Sequence, residues 1–182
     1  MDLNLKDKTV LIAGASRNMG RVAALMFAKE GANLCICTST KMKDLQKVAE
    51  EARGFGAKVL AEQCDITNEE SVSSLVKKAR DQFGGIHVAI SLAGYRAEGS
   101  VLDMSPETWR RTMDVNFLGV WNSCRATVPH LIAGGRGGSI IITSSLFGLK
   151  GYANLCAYSA SKHAVVGLMD PAHGPFVHQS WW

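Results

Sequence analysis

A tyrosine and a lysine stand four residues apart in Tyr158-Ser159-Ala160-Ser161-Lys162. On a helix that spacing puts a phenol and an ammonium on one face. A free phenol titrates near ~10 and is a poor acid–base group at neutral pH. A neighbouring ammonium favours the phenolate, which gives an acid able to protonate a carbonyl oxygen as hydride arrives. Ser145, thirteen residues before Tyr158, is placed to hydrogen-bond the same oxygen. A Tyr–Lys spacing of four also arises by chance, so this pair needs support from the rest of the chain.

A second group lies near the start. Gly14-Ala15-Ser16-Arg17-Asn18-Met19-Gly20 follows the apolar run Thr9-Val10-Leu11-Ile12-Ala13 and opens an amphipathic stretch. A strand that turns through glycine into a helix presents unpaired N–H groups, which suit a pyrophosphate. A dinucleotide lacking a 2′-phosphate usually meets an acid at the end of the second strand. Here that end reads Cys37-Thr38-Ser39-Thr40-Lys41, with no acid. Its hydroxyls and lysine, with Arg17 in the turn, can hold a phosphate dianion, which favours NADP(H) over NAD(H). Residues 38–40 can also cap the next helix, and the two roles are compatible.

These groups work only if the fold brings them together. Apolar runs at 9–13, 34–37, 58–61, 86–90 and 139–143 read as strands. Between them lie helical patterns: 19–30; Leu45, Val48, Ala49 and Ala52; and Val72, Leu75, Val76 and Ala79 behind a Thr67/Glu70 capping box. A long helix opened by Ser105-Pro106 runs toward Pro129, and a last one covers 157–169. Five β-α units with continuously apolar strands imply an α/β doubly wound parallel sheet, covered by helices on both faces. Ligands of such sheets bind beyond the strand C-termini, where both the glycine turn and Ser145 fall.

Composition narrows the classes. The chain has 182 residues, 47% hydrophobic and 20% charged, which suits one domain with a sizeable core. A net charge of +4 points to no nucleic acid and no polybasic membrane anchor. No apolar stretch reaches the length of a membrane span, and residues 1–8 lack the apolar core of a signal peptide. The five cysteines (35, 37, 64, 124 and 156) have no zinc spacing and read as free thiols in a reducing cytoplasm. Cys35 and Cys37 share one face of their strand.

Together these features resemble the short-chain dehydrogenase/reductase family over residues 5–169. Gly14 and Gly20 match the outer glycines of its Thr-Gly-x-x-x-Gly-x-Gly motif, while Ala13 replaces the threonine and Asn18 the middle glycine. Asparagine is the non-glycine residue best able to enter the left-handed region, so the turn survives. Asp65-Ile66 resembles the family's adenine-contacting pair. Ser91-Leu92-Ala93-Gly94 stands for Asn-Asn-Ala-Gly, with both asparagines replaced. His87 takes a position usually held by Asp and reads as structural. Asn116 matches the family's catalytic asparagine, which helps organise a water and lysine relay. In Thr143-Ser144-Ser145 the spacing to Tyr158 selects Ser145 over Ser144.

The resemblance implies a Rossmann-like fold and a small-molecule carbonyl or alcohol substrate. It implies catalytic Asn116, Ser145, Tyr158 and Lys162. The implied cofactor contacts are Gly14, Ser16, Arg17, Asn18, Met19, Gly20, Thr38, Ser39, Asp65, Ile66, Leu92, Ala93 and Gly94, with Tyr158 and Lys162, the lysine on the nicotinamide ribose. Family members are longer, so the expected domain is 1–169, lacking the family's last two strands, with 170–182 as an aberrant tail. A homo-oligomer through the long and final helices is the family's habit. Two other readings compete: a non-catalytic nucleotide-binding remnant, and a scaffold that uses the Trp181-Trp182 end.

Overall fold

In the computed structural model, which describes residues 3–135 and 137–169, strand β1 (Thr9–Ala13) is buried along its whole length. The period of a strand sends Val10 and Ile12 to one face and Leu11 and Ala13 to the other. Each face meets its own helices. Val10 and Ile12 join Leu34 and Ile36 of β2 (Asn33–Thr38) against Ala24 and Ala28 of α1 (Asn18–Lys29) and Leu45, Val48 and Ala52 of α2 (Met42–Gly54). Leu11 and Ala13 join Cys35 and Cys37 against Val72, Leu75, Val76 and Ala79 of α3 (Glu69–Phe83) and Leu131 of α5 (Gly119–Ala133). The two thiols share a face, as their spacing requires.

With β3 (Val59–Gln63), β4 (Val88–Ser91) and β5 (Ser139–Ile142), the strands form one parallel sheet in the order β3-β2-β1-β4-β5. The expected five-stranded, doubly wound α/β architecture is present. Chain order reverses between β1 and β4, and at such a switch point a crevice opens beyond the strand ends. The 170–182 tail lies outside the described residues. Among the described residues no helix is long and apolar enough to cross a membrane.

Local chemistry shifts some boundaries. The cap of α3 is Asn68, not Thr67: the Asn68 side chain accepts from the Ser71 N–H at 2.9 Å. Thr67 is taken up by Asp65, to which it donates both its N–H and its hydroxyl. An Asx turn thus competes with the capping box and wins. The third strand continues to Gln63 because its ladder with β2 outlasts its apolar run. His87 is structural, its Nδ1 accepting from the Thr9 N–H at 3.0 Å.

The long helix is interrupted. α4 (Pro106–Met113), capped by Ser105, passes through a π-helical turn at Asp114–Leu118 into α5. Single π turns widen a helix by one residue and favour functional sites. This one carries Asn116. The last helix, α6 (Cys156–Leu168), packs against α4 and the π turn.

Candidate active site

The glycine turn is built by close approach. Gly14 has φ +87°, and a Cβ there would lie 2.6 Å from the Ala93 amide nitrogen, beyond the end of β4. A Cβ on Gly20 would run into the Gly14 carbonyl oxygen. Asn18 holds the left-handed φ of 48° that its replacement of glycine demands. The Gly14 and Ala15 amides both donate to the Cys37 carbonyl, which ties the turn to the end of β2. Arg17 is the extended, exposed N-cap of α1 and makes no side-chain cap, so the first N–H groups of α1 have no side-chain partner there. Ser16 is buried, and its hydroxyl accepts from Thr38 at 3.4 Å.

The remaining cofactor candidates differ in exposure and in partners. Ser39 is exposed, and its carbonyl accepts from Gln63 Nε2 at 2.8 Å. Thr38 reaches back to Ser16, and the cap of α2 is Lys41 without a side-chain bond, so the capping role foreseen for 38–40 is not used. Met19 is exposed. The Asp65 carboxylate is held in its own turn with Thr67. Ile66 is buried, with Asn122 Nδ2 donating to its carbonyl and its side chain closing on Gly119. Leu92 and Ala93 are half-buried and Gly94 is exposed.

The four candidate chemical residues gather at the C-terminal end of the sheet. α6 presents Tyr158 and Lys162 on one face, with Lys162 Nζ 5.8 Å from the phenol ring centroid. Lys162 is only 4% exposed, and burial draws its pKa from the ordinary 10.5 down to about 8. Its Nζ donates to the Thr143 carbonyl at 2.7 Å, just past the end of β5. Ser145 Oγ accepts from the Phe147 N–H at 3.2 Å, and its own proton is uncommitted among the described residues. Phe147 packs edge-on against the Tyr158 ring at 6.3 Å.

Asn116 is fully buried. Its Oδ1 accepts from the Tyr95 N–H at 2.7 Å, and its Nδ2 donates to the Tyr95 carbonyl at 2.9 Å and to Ser161 Oγ at 3.0 Å. Ser144 braces the serine loop against α6: its Oγ donates to the Lys162 carbonyl at 3.1 Å. Sequence reasoning assigned nothing to Asn122 and Ser161. Their partners lie 56 and 45 residues away along the chain, where no local pattern reaches.

The sequence matches the family described as short chain dehydrogenase over residues 8–175. It is 35% identical to the (-)-trans-carveol dehydrogenase of Rhodococcus erythropolis, covering 91% of this chain and 64% of that protein. It is 35% identical to the cyclohexanol dehydrogenase of an Acinetobacter strain, covering 94% of this chain and 68% of that one. The carveol dehydrogenase of Mycobacterium avium, solved in complex with NAD, superposes with a TM-score of 0.87 at 32% identity, over 91% of this chain and 64% of that one. A Burkholderia phymatum short chain dehydrogenase/reductase in complex with NAD gives 0.90 at 28% identity, over 95% and 63%. This chain thus spans under two thirds of the length of several of its relatives. It belongs to the short-chain dehydrogenase family.

Proposed function

We propose that this protein is an oxidoreductase that interconverts a small-molecule alcohol and its carbonyl, preferring NADP(H) to NAD(H). The carrying observation is the Tyr158–Lys162 pair on one turn of α6, at the same sheet end as the glycine turn. The residues present fit a dinucleotide: the side-chain-free Gly14 packs the turn directly on the backbone after β4, and the start of α1 offers N–H groups without a side-chain cap. Solved neighbours hold NAD. For this chain the preference for the 2′-phosphate rests on Arg17 and the acid-free end of β2, with the hydroxyls of Thr38 and Ser39 close by.

A bound nicotinamide supplies or accepts the hydride. Tyr158 gives its phenolic proton to the carbonyl oxygen in reduction and takes it back in oxidation. Ser145, whose proton is free to donate, fixes that oxygen. Lys162 spends one N–H on Thr143 and keeps two for ribose hydroxyls, while its charge favours the phenolate. Asn116 holds the backbone at Tyr95 in place. Five free cysteines, three of them buried, suit a reducing cytoplasm, and the substrate partner is a small molecule.

The test pairs a coenzyme-binding titration with NAD(P)H-dependent turnover over a panel of carbonyls and alcohols. Binding with turnover, abolished in Tyr158→Phe while binding persists, supports the enzyme. Binding without turnover identifies a nucleotide-binding remnant, and neither leaves a scaffold.

A further inference from the structure

Ser161 sits inside the Tyr158–Lys162 segment, and its hydroxyl does more than return to its own helix. Its proton goes to the Tyr158 carbonyl at 2.8 Å, the i−3 back-bond common to helical serines. A hydroxyl has a single proton, so towards anything else this oxygen can only accept. What it accepts is an N–H of Asn116, from the π turn, at 3.0 Å. Both residues are fully buried.

That polarity fixes the asparagine. With Nδ2 directed to Ser161, Oδ1 must face the Tyr95 N–H, and the second Nδ2 proton meets the Tyr95 carbonyl. The flipped amide would set an NH2 group against the Tyr95 N–H, and would satisfy Oδ1 only by drawing the Ser161 proton off its helical bond to Tyr158. Tyr95 follows Leu92-Ala93-Gly94, the segment whose Leu92 and Ala93 backbone packs directly on Gly14. Its ring is covered separately by the Arg111 guanidinium, 4.4 Å from the centroid. A single chain of hydrogen bonds therefore runs from the Tyr158 turn through Ser161 and Asn116 to the crevice wall.

We propose that Ser161 is a positioning residue: its hydroxyl sets the orientation of the Asn116 amide and so locks the crevice wall at Tyr95 to the helical turn that carries Tyr158. The inference deepens the oxidoreductase reading and rests on it for its effect on turnover. The link itself does not, because it can be read without any reaction.

Ser161→Ala is compared with Ser159→Ala in the full chain. Ser159 is a buried neighbour on α6 whose hydroxyl finds no partner among the described residues, so it controls for the loss of a helical hydroxyl. The first readout is backbone amide hydrogen exchange at Tyr95. Ser161→Ala should speed it by tenfold or more and Ser159→Ala by less than twofold. The second is turnover, which Ser161→Ala should lower about tenfold. In an Asn116→Ala background the same change should add less than a further twofold, because the two residues act through one chain. Should Ser161→Ala fail to fold, Ser161→Cys keeps the volume with a weak donor and acceptor and carries the same expectations. Unchanged Tyr95 exchange, or full additivity with Asn116→Ala, overturns the proposal. Faster Tyr95 exchange in a protein whose wild type never turns over upholds the link and sinks the oxidoreductase reading instead.

Discussion

Lys162 donates from Nζ to the carbonyl of Thr143 at 2.7 Å, a side-chain bond from α6 to the end of β5 that holds a nearly buried ammonium. Burial lowers its pKa from 10.5 to about 8. Between those values the unfolded chain holds a proton that the folded chain has released, so stability rises with pH from about 8 to 10.5. Below about 8 the folded state carries the whole net cost of the buried cation, on the order of 3 kcal/mol. Lys162→Met should remove this increment. Urea unfolding of both proteins from pH 7 to 10 reads it as a difference that shrinks with rising pH. A constant difference would show that Lys162 does not titrate in that window.

Gly148 has no room for a side chain. A Cβ there would strike Ser144 Oγ and lie 2.7 Å from the Lys162 carbonyl oxygen. Gly148→Ala must push apart the serine loop and α6, at about 1–3 kcal/mol for overpacking. Thermal melts should drop by several degrees and turnover should fall with them. Gly54→Ala is the control, since a Cβ there meets nothing within 4 Å, and it should be neutral or slightly stabilising. A Gly148→Ala protein that melts like wild type would mean that the loop yields freely.

Arg17 is exposed at the N-cap of α1, beside an end of β2 that carries no acid. If it pairs with a 2′-phosphate, Arg17→Ala loses a charge-assisted contact of about 1.5–3 kcal/mol, felt by NADPH and not by NADH. The NADPH preference should narrow by roughly tenfold or more, measured by fluorescence titration of both coenzymes. Equal affinities in the wild type would dispose of the preference altogether.

The sheet was legible because each strand contains a continuous apolar run and each early helix an apolar stripe. Leu45, Val48, Ala49 and Ala52, for example, are all buried as their spacing requires. The glycine turn was legible because only Gly14 and a left-handed Asn18 can make that approach. Competition between neighbouring polar groups was not. Thr67 and Asn68 could each cap α3, and the choice depended on an Asp65 carboxylate that captured Thr67. The π turn was also hidden, because one extra residue in a helix leaves no compositional trace. The bracing of Asn116 by Ser161 needed the fold itself.

β5 is the open edge of the sheet among the described residues, paired only with β4. Its sequence Ser139-Ile140-Ile141-Ile142 carries no charge and no proline, and neither does its continuation to Ser145. Ile140 and Ile142 are half-buried, whereas Ile141 faces the other way and is 38% exposed. An apolar edge with free N–H and C=O groups is a template for another strand, and natural sheets blunt it with charge, proline or a cover. Nothing in 139–145 does so. The 182-residue chain should therefore self-associate through this edge as its concentration rises. Ile141→Lys puts a charge on the exposed face of the strand and leaves the two half-buried isoleucines in place, so it should shift the protein toward monomer at little cost to folding. Size-exclusion chromatography with light scattering, run on both proteins over a concentration series, decides it. A wild-type chain that stays monodisperse and monomeric would overturn the self-association, and an Ile141→Lys protein that associates as before would place the contact elsewhere.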